Sequence, residues 1–562
     1  MSVSNASRKV PMMYRAQVEG RCQVQRLVPK KQDRQDATRW ADEWVQETYP
    51  SAPQFGSELN SSDVQTKTYQ LTWRFVTNSG QDDGVIRPVI GAKGWPFYPG
   101  SSMKGIFRQA CTDAQALKYC GDADDLRPGI LRFHGGYPTD DAWTENLVDL
   151  VHPQQDRQVK QEKTTSAFIQ ISLYQPEMRF GISSMASDEE TDWKTVWQIW
   201  EKAIASGLGC RVSAGYGHAE KVTGEQLYRV GLQGQGQAPK LIDTRDGEFR
   251  PNVFRAAIRG HALRIFGGLT TAENAEKLVK TLFGGIHGGA VVGLLSMAFE
   301  TRSLTMGSYG TGSYAQPTYD VKGTLRWLLT KPIANEEEQK KLTFFIESLT
   351  RFAMVFGGFG KSWRRADHRL FYPQYYEQGR KPLIGCHWEW YGNLALVREN
   401  RVRRLPQVAE FVEIVRQAAR DWMETQGVVV SGAYATEWRE AWHPDKVQVW
   451  GRVAEDAEDS EVVAWLHGPY QRGDRTLRTK EQTIKQSSVT GRLGKIGRLW
   501  HRMYPWVNVT KNPDNPKRPN IIHTNKFFEL LTLFPDSTPE YRQFLRYLEE
   551  RQDELVLLWP TE

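Results

Sequence analysis

The sequence is poor in cysteine and lacks the spacings that would give its thiols and imidazoles a metal or disulfide role. Only five cysteines occur among 562 residues, namely Cys22, Cys111, Cys120, Cys210 and Cys386. An odd number with no C-x-x-C pair encodes neither a disulfide framework nor a zinc knuckle. The eleven histidines include no H-x-x-x-H or H-E-x-x-H spacing. We therefore expect reduced structural thiols and assign no metal site.

Long hydrophobic runs are also missing. No window approaches the ~18 uncharged apolar residues that a bilayer span requires, and residues 1–10 lack the apolar core of a signal peptide. We therefore expect a cytoplasmic protein without a membrane partner. Apolar residues make up 40% and charged residues 25% of the chain, which is the balance of a folded globular protein with room for several cores.

The common nucleotide and nucleophile motifs are absent too. Gly360-Lys361-Ser362 resembles the end of a P-loop, but Val355 stands where that motif needs its first glycine. Gly207-x-Gly209 would need a glycine at the position of Val212 to form a dinucleotide fingerprint. No G-x-S-x-G elbow occurs. These absences exclude Walker, Rossmann and hydrolase-elbow chemistry.

Positive charge, by contrast, is present and unevenly distributed. The chain has 73 Lys and Arg against 66 Asp and Glu, a net charge of +7. The segment 485–518 contains a single acid, Asp514, and eight cations: Lys485, Arg492, Lys495, Arg498, Arg502, Lys511, Lys517 and Arg518. Such segregation favours a surface that faces a polyanion. The 20 Trp, 21 Tyr and 23 Phe supply flat surfaces, most for the core and some for stacking on bases.

A repeated pattern predicts two units. In the first, β-like runs at 12–28 and 68–76 flank a polar insert at 30–62. A Pro99-Gly100 turn then leads into a helix capped by Ser101 or Ser102, with apolar residues at helical spacing. An amphipathic helix at 191–206 precedes a glycine-rich loop at 207–217.

The second unit restarts with a β-like run at 227–232. Its segment 254–264 carries Arg259-Gly260 and Arg264 in the order of Lys104-Gly105 and Arg108, and 356–365 forms a glycine-rich basic loop. We place domains at 1–225 and 226–562, of which 382–562 is a candidate separate module that binds a partner or RNA. Helices are expected at 406–423 and from Pro539 onward.

The two glycine-rich loops have a simple chemical interpretation. Glycines let backbone N–H groups approach a phosphate, while Arg211, Lys361, Arg364 and Arg365 add positive charge. The alternative is a tight turn whose basic residues are merely solvated.

Acids among bases form a second candidate set, namely Asp33, Asp36, Asp243 and Asp246. A carboxylate in that setting can act on a backbone phosphate by proton transfer or by holding a cation. The alternative is an exposed ion pair with a neighbouring base.

Several of these segments together resemble a known family. Residues 98–108 (YPGSSMKGIFR) are similar to the P-G-S-S-[hydrophobic]-K-G-x-[hydrophobic]-R segment of the RAMP superfamily, the RNA-binding backbone subunits of type III CRISPR effector complexes. Residues 209–217 resemble its glycine-rich loop, and 131–138 with 148–152 its middle strand segment. Looser likenesses occur at 254–264, 282–285, 356–361 and 487–494. The likeness spans roughly residues 10–370 and suggests two fused backbone subunits.

The resemblance implies an α+β fold of two tandem ferredoxin-like (RRM-type) domains with insertions and a C-terminal extension, the insert at 30–62 forming a thumb. Cleaving members carry an aspartate after the first strand, which maps onto Asp33 or Asp36 and, as second choice, onto Asp243 or Asp246. Other members only hold RNA, so target-RNA cleavage stays open. The resemblance implies no tightly bound cofactor and leaves open a divalent metal such as Mg²⁺ for cleavage. The implied partners are guide RNA, complementary target RNA and other type III subunits.

Candidate RNA contacts follow from charge, loops and resemblance together. They are Lys30, Lys31, Ser101, Ser102, Lys104, Arg108, Arg211, Ser213, Tyr216, Arg259, Arg264, Lys361, Arg364, Arg365, Arg492, Lys495 and Arg498. Two other functions remain: a guide-processing endoribonuclease that uses His134 or His218 as acid or base, and a solitary single-stranded RNA-binding protein.

Overall fold

A computed structural model provides the structure of the chain. It describes residues 17–19, 23–25, 34–55, 64–77, 80–82, 85–122, 125–151, 155–160, 168–187, 190–221, 225–241, 246–285, 291–377, 381–430, 432–471, 482–492, 495–510, 512, 519–552 and 554–561. No helix within these ranges is long and apolar enough to cross a membrane.

The first unit occupies the chain up to residue 221. Its strands and helices follow one another as β1 (Gln17–Glu19), β2 (Gln23–Gln25), α1 (Arg34–Gln46), β3 (Gln65–Gln70), β4 (Arg74–Phe75), β5 (Gly80–Asp82), β6 (Val85–Arg87), α2 (Gly100–Ala110), α3 (Asp113–Cys120), β7 (Leu131–Pro138), β8 (Val148–Val151), α4 (Asp156–Lys160), β9 (Phe168–Ile171), β10 (Leu173–Tyr174), β11 (Glu177–Ser184) and α5 (Trp193–Ile204).

The central sheet of the first unit has a ferredoxin-like strand order. β11 pairs antiparallel with both β3 and β7, and an antiparallel bridge between Leu71 and Ala219 places a fourth segment beside β3. The order along the chain is therefore β-α-β-β-α-β, with α2 and α5 as the two helices. Helix α2 begins directly after Pro99, and no side chain caps it. The predicted capping role of Ser101 and Ser102 is wrong because both lie inside the first turn.

The second unit repeats this topology with longer strands. Its elements are β12 (Gln226–Gln237), α6 (Asn252–Gly267), α7 (Ala272–Phe283), β13 (Leu295–Tyr309), β14 (Gln316–Leu329), α8 (Glu336–Phe356), α9 (His368–Phe371), α10 (Gln374–Glu377), β15 (Cys386–Trp390), α11 (Asn393–Glu399) and α12 (Gln407–Thr425). The sheet order is β13-β14-β12-β15 and every pairing is antiparallel.

A third unit of the same topology lies in the predicted C-terminal extension. It comprises β16 (Gln448–Ala454), α13 (Glu461–His467), β17 (Gly491–Arg492), β18 (Lys495–Ile496), β19 (Leu499–Thr510), β20 (Asn520–Leu533), α14 (Pro539–Glu550) and β21 (Val556–Trp559). Its sheet order, β19-β20-β16-β21, matches that of the second unit. The predicted α+β class is confirmed, whereas a third unit of this topology was not predicted. The domain boundaries stay a prediction.

The second and third units share one hydrophobic core. Helices α6, α8 and α12 lie between the two sheets, and Trp422 of α12 belongs to the same buried cluster as Trp388 of β15 and Trp559 of β21. On the far side of the third sheet, α13 and α14 pack in a separate cluster around Trp465 and Phe544. The third sheet is thus buried on both faces, while the second sheet has on its other face, among the described residues, only the short helix α9, whose N-cap Asp367 accepts from Gln235 of β12 over 3.1 Å.

Buried charges join the first unit to the second. Arg74 donates to Glu248 over 2.6 Å, and Arg250 pairs with Glu248 and with Asp149, each over 2.8 Å. Trp73 also donates to Glu248, over 3.0 Å. Burial alone would raise the pKa of Asp149, but Arg74 and Arg250 outweigh it, so that pKa lies below its usual range. Neighbouring ions in a closed network fix the orientation of the two units.

A single carboxylate, Glu440, lies where all three units meet. It accepts from Arg264 at 2.7 Å and from Arg364 at 2.7 Å, and it also pairs with Arg439. Its own backbone N–H donates to the carbonyl of Val159 in the first unit, over 3.1 Å. Burial would raise the pKa of Glu440, but Arg364, Arg264 and Arg439 together lower it to about 2.

Replacing this carboxylate is expected to destabilise the chain strongly. Glu440→Gln leaves three arginines without their shared anion, a loss of about 3–5 kcal/mol in the free energy of unfolding. Because the pKa of Glu440 falls from 4.5 to about 2 on folding, this stabilisation is complete above about pH 4.5 and is lost as the pH falls through about 2. Urea denaturation of the full chain at several pH values measures both effects.

The matched control is Glu437→Gln, since Glu437 is exposed on the same segment. Its unfolding midpoint is expected to stay within about 0.5 kcal/mol of the wild type. Equal midpoints for the two variants at pH 7 would contradict the role of Glu440.

Candidate nucleic-acid interface

The helix α2 of the first unit presents a basic face to solvent. Its buried residues are Met103, Phe107 and Ala110. The opposite side carries four of the predicted RNA contacts, all exposed, which together form the α2 basic face: Ser101, Ser102, Lys104 and Arg108. The two hydroxyls lie in the first turn, at the positive end of the helix dipole, and Lys104 follows them, whereas Arg108 lies in the last turn and donates to the carbonyl of Gly121 over 2.7 Å. A helix N-terminus with hydroxyls and a nearby cation suits an anion.

Close backbone packing fixes the start of α2. A Cβ atom at Gly100 would lie 2.0 Å from the carbonyl oxygen of Phe133, so a side chain there would push the helix off the sheet. Just before it, Tyr98 is buried and its hydroxyl is hydrogen-bonded to the backbone of Gly209. The glycine-rich loop and the start of α2, which are far apart in sequence, therefore lie against each other.

The rest of the glycine-rich loop faces the junction with the second unit. Ser296 of β13 donates to the carbonyl of Val212 over 3.2 Å. Tyr216 is buried, donates to Asp149 over 2.8 Å and packs on the ring of Trp73 at 4.4 Å. Burial and the neighbouring Asp149 raise the pKa of Tyr216 well above its usual value. Its side chain is thus occupied inside the protein, and we leave it out of the contact surface.

Two other predicted contacts of this loop lie at its edge. Ser213 and Arg211 are both half-buried, and Arg211 adopts a left-handed backbone conformation with φ of 61°. Burial lowers the pKa of Arg211, an effect that Tyr216 and Asp149 oppose. Arg255 of α6 belongs to the same positive region, because burial and then Arg259 and Arg211 lower its pKa to about 9. Arg255 was not predicted, because it has no counterpart in the motif.

Helix α6 does not present its cations as α2 does. Arg259 is half-buried and pairs with Asp156, and Arg264 is fully buried against Glu440. Lys104 and Arg108 are four residues apart, whereas Arg259 and Arg264 are five apart. One extra residue turns the second cation by about 100° around the helix axis. The second cation of α6, Arg264, therefore points into the interior, whereas the second cation of α2, Arg108, is exposed.

The glycine-rich loop of the second unit divides its three cations between surface and interior. Lys361 is exposed; loss of water around its ammonium group, with Arg250 and Lys240 nearby, lowers its pKa. Arg364 pairs with Glu440, and Arg365 donates to the carbonyls of Leu499 at 2.6 Å and Thr490 at 3.1 Å. Only Lys361 of this loop therefore offers its charge to a surface ligand.

The remaining predicted basic contacts lie in the third unit and near the start of the chain. Arg492 and Lys495 are paired backbone positions of the β17–β18 hairpin, and their side chains lie outside the described residues. Arg498 pairs with Asp536 over 3.0 Å. Lys30 and Lys31 lie outside the described residues.

The candidate acids are described only in part. Asp33 and Asp243 lie outside the described residues, and Asp36 belongs to α1, where its side chain is likewise not described. Asp246 is exposed, and its carbonyl accepts from the N–H of Leu241 over 2.7 Å. Within the described ranges, no three His, Cys, Asp or Glu side chains come together to hold a metal.

The two candidate histidines lie in different settings. His134 contacts the hydroxyl of Ser183 at 2.8 Å, and burial lowers its pKa. His218 is buried and donates to the carbonyl of Val212 over 3.3 Å, and burial lowers its pKa to about 4. His218 is thus neutral at pH 7 and enclosed by protein.

Comparisons with known proteins give structural likenesses only. No model of a known protein family matches the chain, and no curated protein matches it. Among solved structures, a chain of the type III-B Cmr-beta complex bound to cognate target RNA, determined by cryo-electron microscopy, has a TM-score of 0.24 and 19% identity, covering 34% of this chain and 66% of that one. A chain of the same complex bound to cognate target RNA and AMPPnP in the presence of single-stranded DNA has a TM-score of 0.26 and 9% identity, covering 58% and 99%. TM-scores this low do not indicate what the chain does. Its activity is inferred below from its own residues.

Proposed function

We propose that this chain is an RNA-binding backbone subunit of a type III CRISPR effector complex, which holds guide RNA by its phosphates and presents it to complementary target RNA. The observation that carries the proposal is the α2 basic face, exposed on a ferredoxin-like unit and fixed beside a glycine-rich loop by Tyr98 and Gly209. Hydroxyl, Lys and Arg groups on a rigid element position a nucleic-acid backbone without reading its sequence.

A second cationic contact supports the same proposal. Lys361 lies near Lys240 and Arg250 beside the glycine-rich loop of the second unit, so the chain offers positive charge on two successive units. In such a subunit the guide would supply target specificity by base pairing, and the protein would supply positioning. Other type III subunits would adjoin the ends of the chain.

Target cleavage is a separate part of the proposal. If Asp33 or Asp36 acts on the bound target, the chain is an endoribonuclease that moves a proton at the reacting 2′-oxygen or holds a divalent cation such as Mg²⁺. Asp243 and Asp246 are the second choice. Without such an acid the chain holds RNA while other subunits cut it.

RNA binding is expected to depend on the α2 basic face. In the full chain, Lys104→Ala with Arg108→Ala removes two phosphate contacts, so the affinity for single-stranded RNA should fall. The plot of the logarithm of the binding constant against the logarithm of the salt concentration, which slopes downward, should become shallower by about 1–2. Fluorescence anisotropy over a range of salt concentrations measures both. The control is Lys194→Ala with Lys277→Ala, two exposed lysines on α5 and α7. A wild-type chain that binds no RNA would overturn the proposed function.

Cleavage is tested in the assembled complex with end-labelled target RNA matched to the guide. We expect Asp33→Ala or Asp36→Ala to remove one discrete cut, with a rate loss of about 10²–10⁴-fold, because a positioned acid or base contributes that much. Target binding should be retained. The double variant Asp243→Ala with Asp246→Ala tests the second choice. The same set of cleavage products in every variant as in the wild type would show that this chain does not cleave the target RNA.

The endoribonuclease alternative makes an opposite prediction about histidine. Since burial holds the pKa of His218 at about 4, we expect that His218→Ala and His134→Ala leave the processing of a guide precursor unchanged between pH 6 and 8. Gel analysis of the isolated chain with precursor RNA measures this. Loss of cleavage in either variant would support the alternative. Purification of the native protein without repeat-derived RNA or sibling subunits would instead support a solitary RNA-binding protein.

A further inference from the structure

The open face of the second unit's sheet contains a cavity that the proposed function does not use. It has a volume of about 460 Å³ and lies beside the first half of β12 and the residues that directly follow β15. Its lining includes Arg229, Gly231, Arg302, Thr324, Tyr391 and Arg398. We call it the Tyr391 pocket. It belongs to the second unit, whereas the α2 basic face belongs to the first.

Two cations approach the ring of Tyr391. The guanidinium of Arg302 lies 5.8 Å from the ring centroid and the ammonium of Lys322 lies 5.9 Å from it. Arg302 stands at a β-bulge: Thr301 pairs with Gly323 and Ser303 with Lys322, so Arg302 has no partner across the strands. A bulge redirects a side chain from the regular pleat, and here it adds a second cation to the same ring.

Acids do not neutralise these cations within the described part of the chain. Arg229, Arg302 and Lys322 are exposed, and no ion pair joins any of them to a described carboxylate. The nearby Glu300 pairs with Arg326. Glu399, which lines the pocket, pairs with Arg351 over 2.8 Å and is 4.0 Å from Arg398. Like charges that converge without a counter-ion attract an anion.

The backbone holds Tyr391 firmly in place. Its N–H donates to the carbonyl of Gly231 over 2.9 Å. A Cβ atom at Gly231 would lie 2.2 Å from the carbonyl oxygen of Tyr391, so this strand pairing needs glycine. Gly392 follows with φ of 92°, where a side chain would be strained. With its backbone held in this way, Tyr391 offers its ring as a platform on which a base can stack.

We infer that the Tyr391 pocket binds one nucleotide unit of an RNA strand, with the base against Tyr391 and the phosphate between Arg229, Arg302 and Lys322. The inference rests on the proposed function for the identity of the ligand and adds a second binding surface to it. A cavity lined by an aromatic ring, by the exposed cations Arg229 and Arg302 and by an acid already paired to another arginine, with Lys322 beside the ring, fits a nucleotide better than it fits an acidic peptide, which offers carboxylates but no ring to stack.

The test uses the full chain and a fluorescent single-stranded RNA of 12 nucleotides. Tyr391→Ala is expected to weaken binding about five- to a hundredfold, the effect of one stacked base, while Tyr391→Phe stays within about twofold because the ring is retained. Arg302→Ala should make the fall of the RNA-binding constant with salt concentration shallower, by about 1 in the slope of the log–log plot. Lys331→Ala, an exposed lysine in the turn after β14, is the control. Thermal melting of each variant checks that it is folded.

The outcomes separate the inference from the proposed function. If the wild type binds RNA and neither Tyr391→Ala nor Arg302→Ala changes the affinity, the inference is overturned and the proposed function stands. If the wild type binds no RNA, both are overturned. AMP and a poly-glutamate peptide are added as competitors. If either one binds in a Tyr391-dependent way while RNA binding ignores Tyr391, the pocket belongs to a free nucleotide or an acidic peptide, and the inference is wrong.

Discussion

The arrangement of the three units depends on one buried carboxylate. Glu440 forms ion pairs with Arg264 and Arg364 of the second unit and with Arg439 of its own segment. Its backbone N–H donates a hydrogen bond to the carbonyl of Val159 in the first unit. The arginines also contact neighbouring backbone: Arg439 donates to Ile496 and Arg364 to Gly497 in the third unit. A buried ion cluster of this kind tolerates the removal of no single member. It therefore specifies one packing of the units where an apolar contact would allow several.

A second consequence concerns which surfaces stay available for ligands. Helices cover one face of each sheet, and in the third unit α12 covers the other face as well. Among the described residues, the face of the second sheet opposite α6 and α8 is lined by polar residues such as Gln233 and Gln235, and the short helix α9 lies beside part of it. The cations at the unit junctions are occupied by carboxylates and carbonyls. The exposed cations proposed as RNA contacts lie on α2 in the first unit and, in the second unit, at Lys361 and around the Tyr391 pocket.

Much of the first two units could be predicted from sequence, and the reasons for the failures are physical. The apolar spacing of Met103, Phe107 and Ala110 located α2, and the tryptophan stripe of α5 located that helix. The third unit was not predicted because its first helix has only seven residues and because its strands carry the buried polar residues His501, Arg502 and Glu529. A strand that is buried on both faces and includes charges shows no alternation to detect. By contrast, the inward turn of Arg264 could be read from the sequence, because Arg264 follows Arg259 by five residues whereas Arg108 follows Lys104 by four.

The linkage of three units in one polypeptide has a further effect, on stoichiometry. Separate subunits that bind head to tail form filaments whose length varies with concentration. Here the three units are joined covalently, and buried ion clusters lie at their junctions. The order of these three units and the spacing between them are therefore set during translation. A ligand that spans the three units therefore contacts surfaces at fixed distances from one another, whatever the concentration of the protein in the cell.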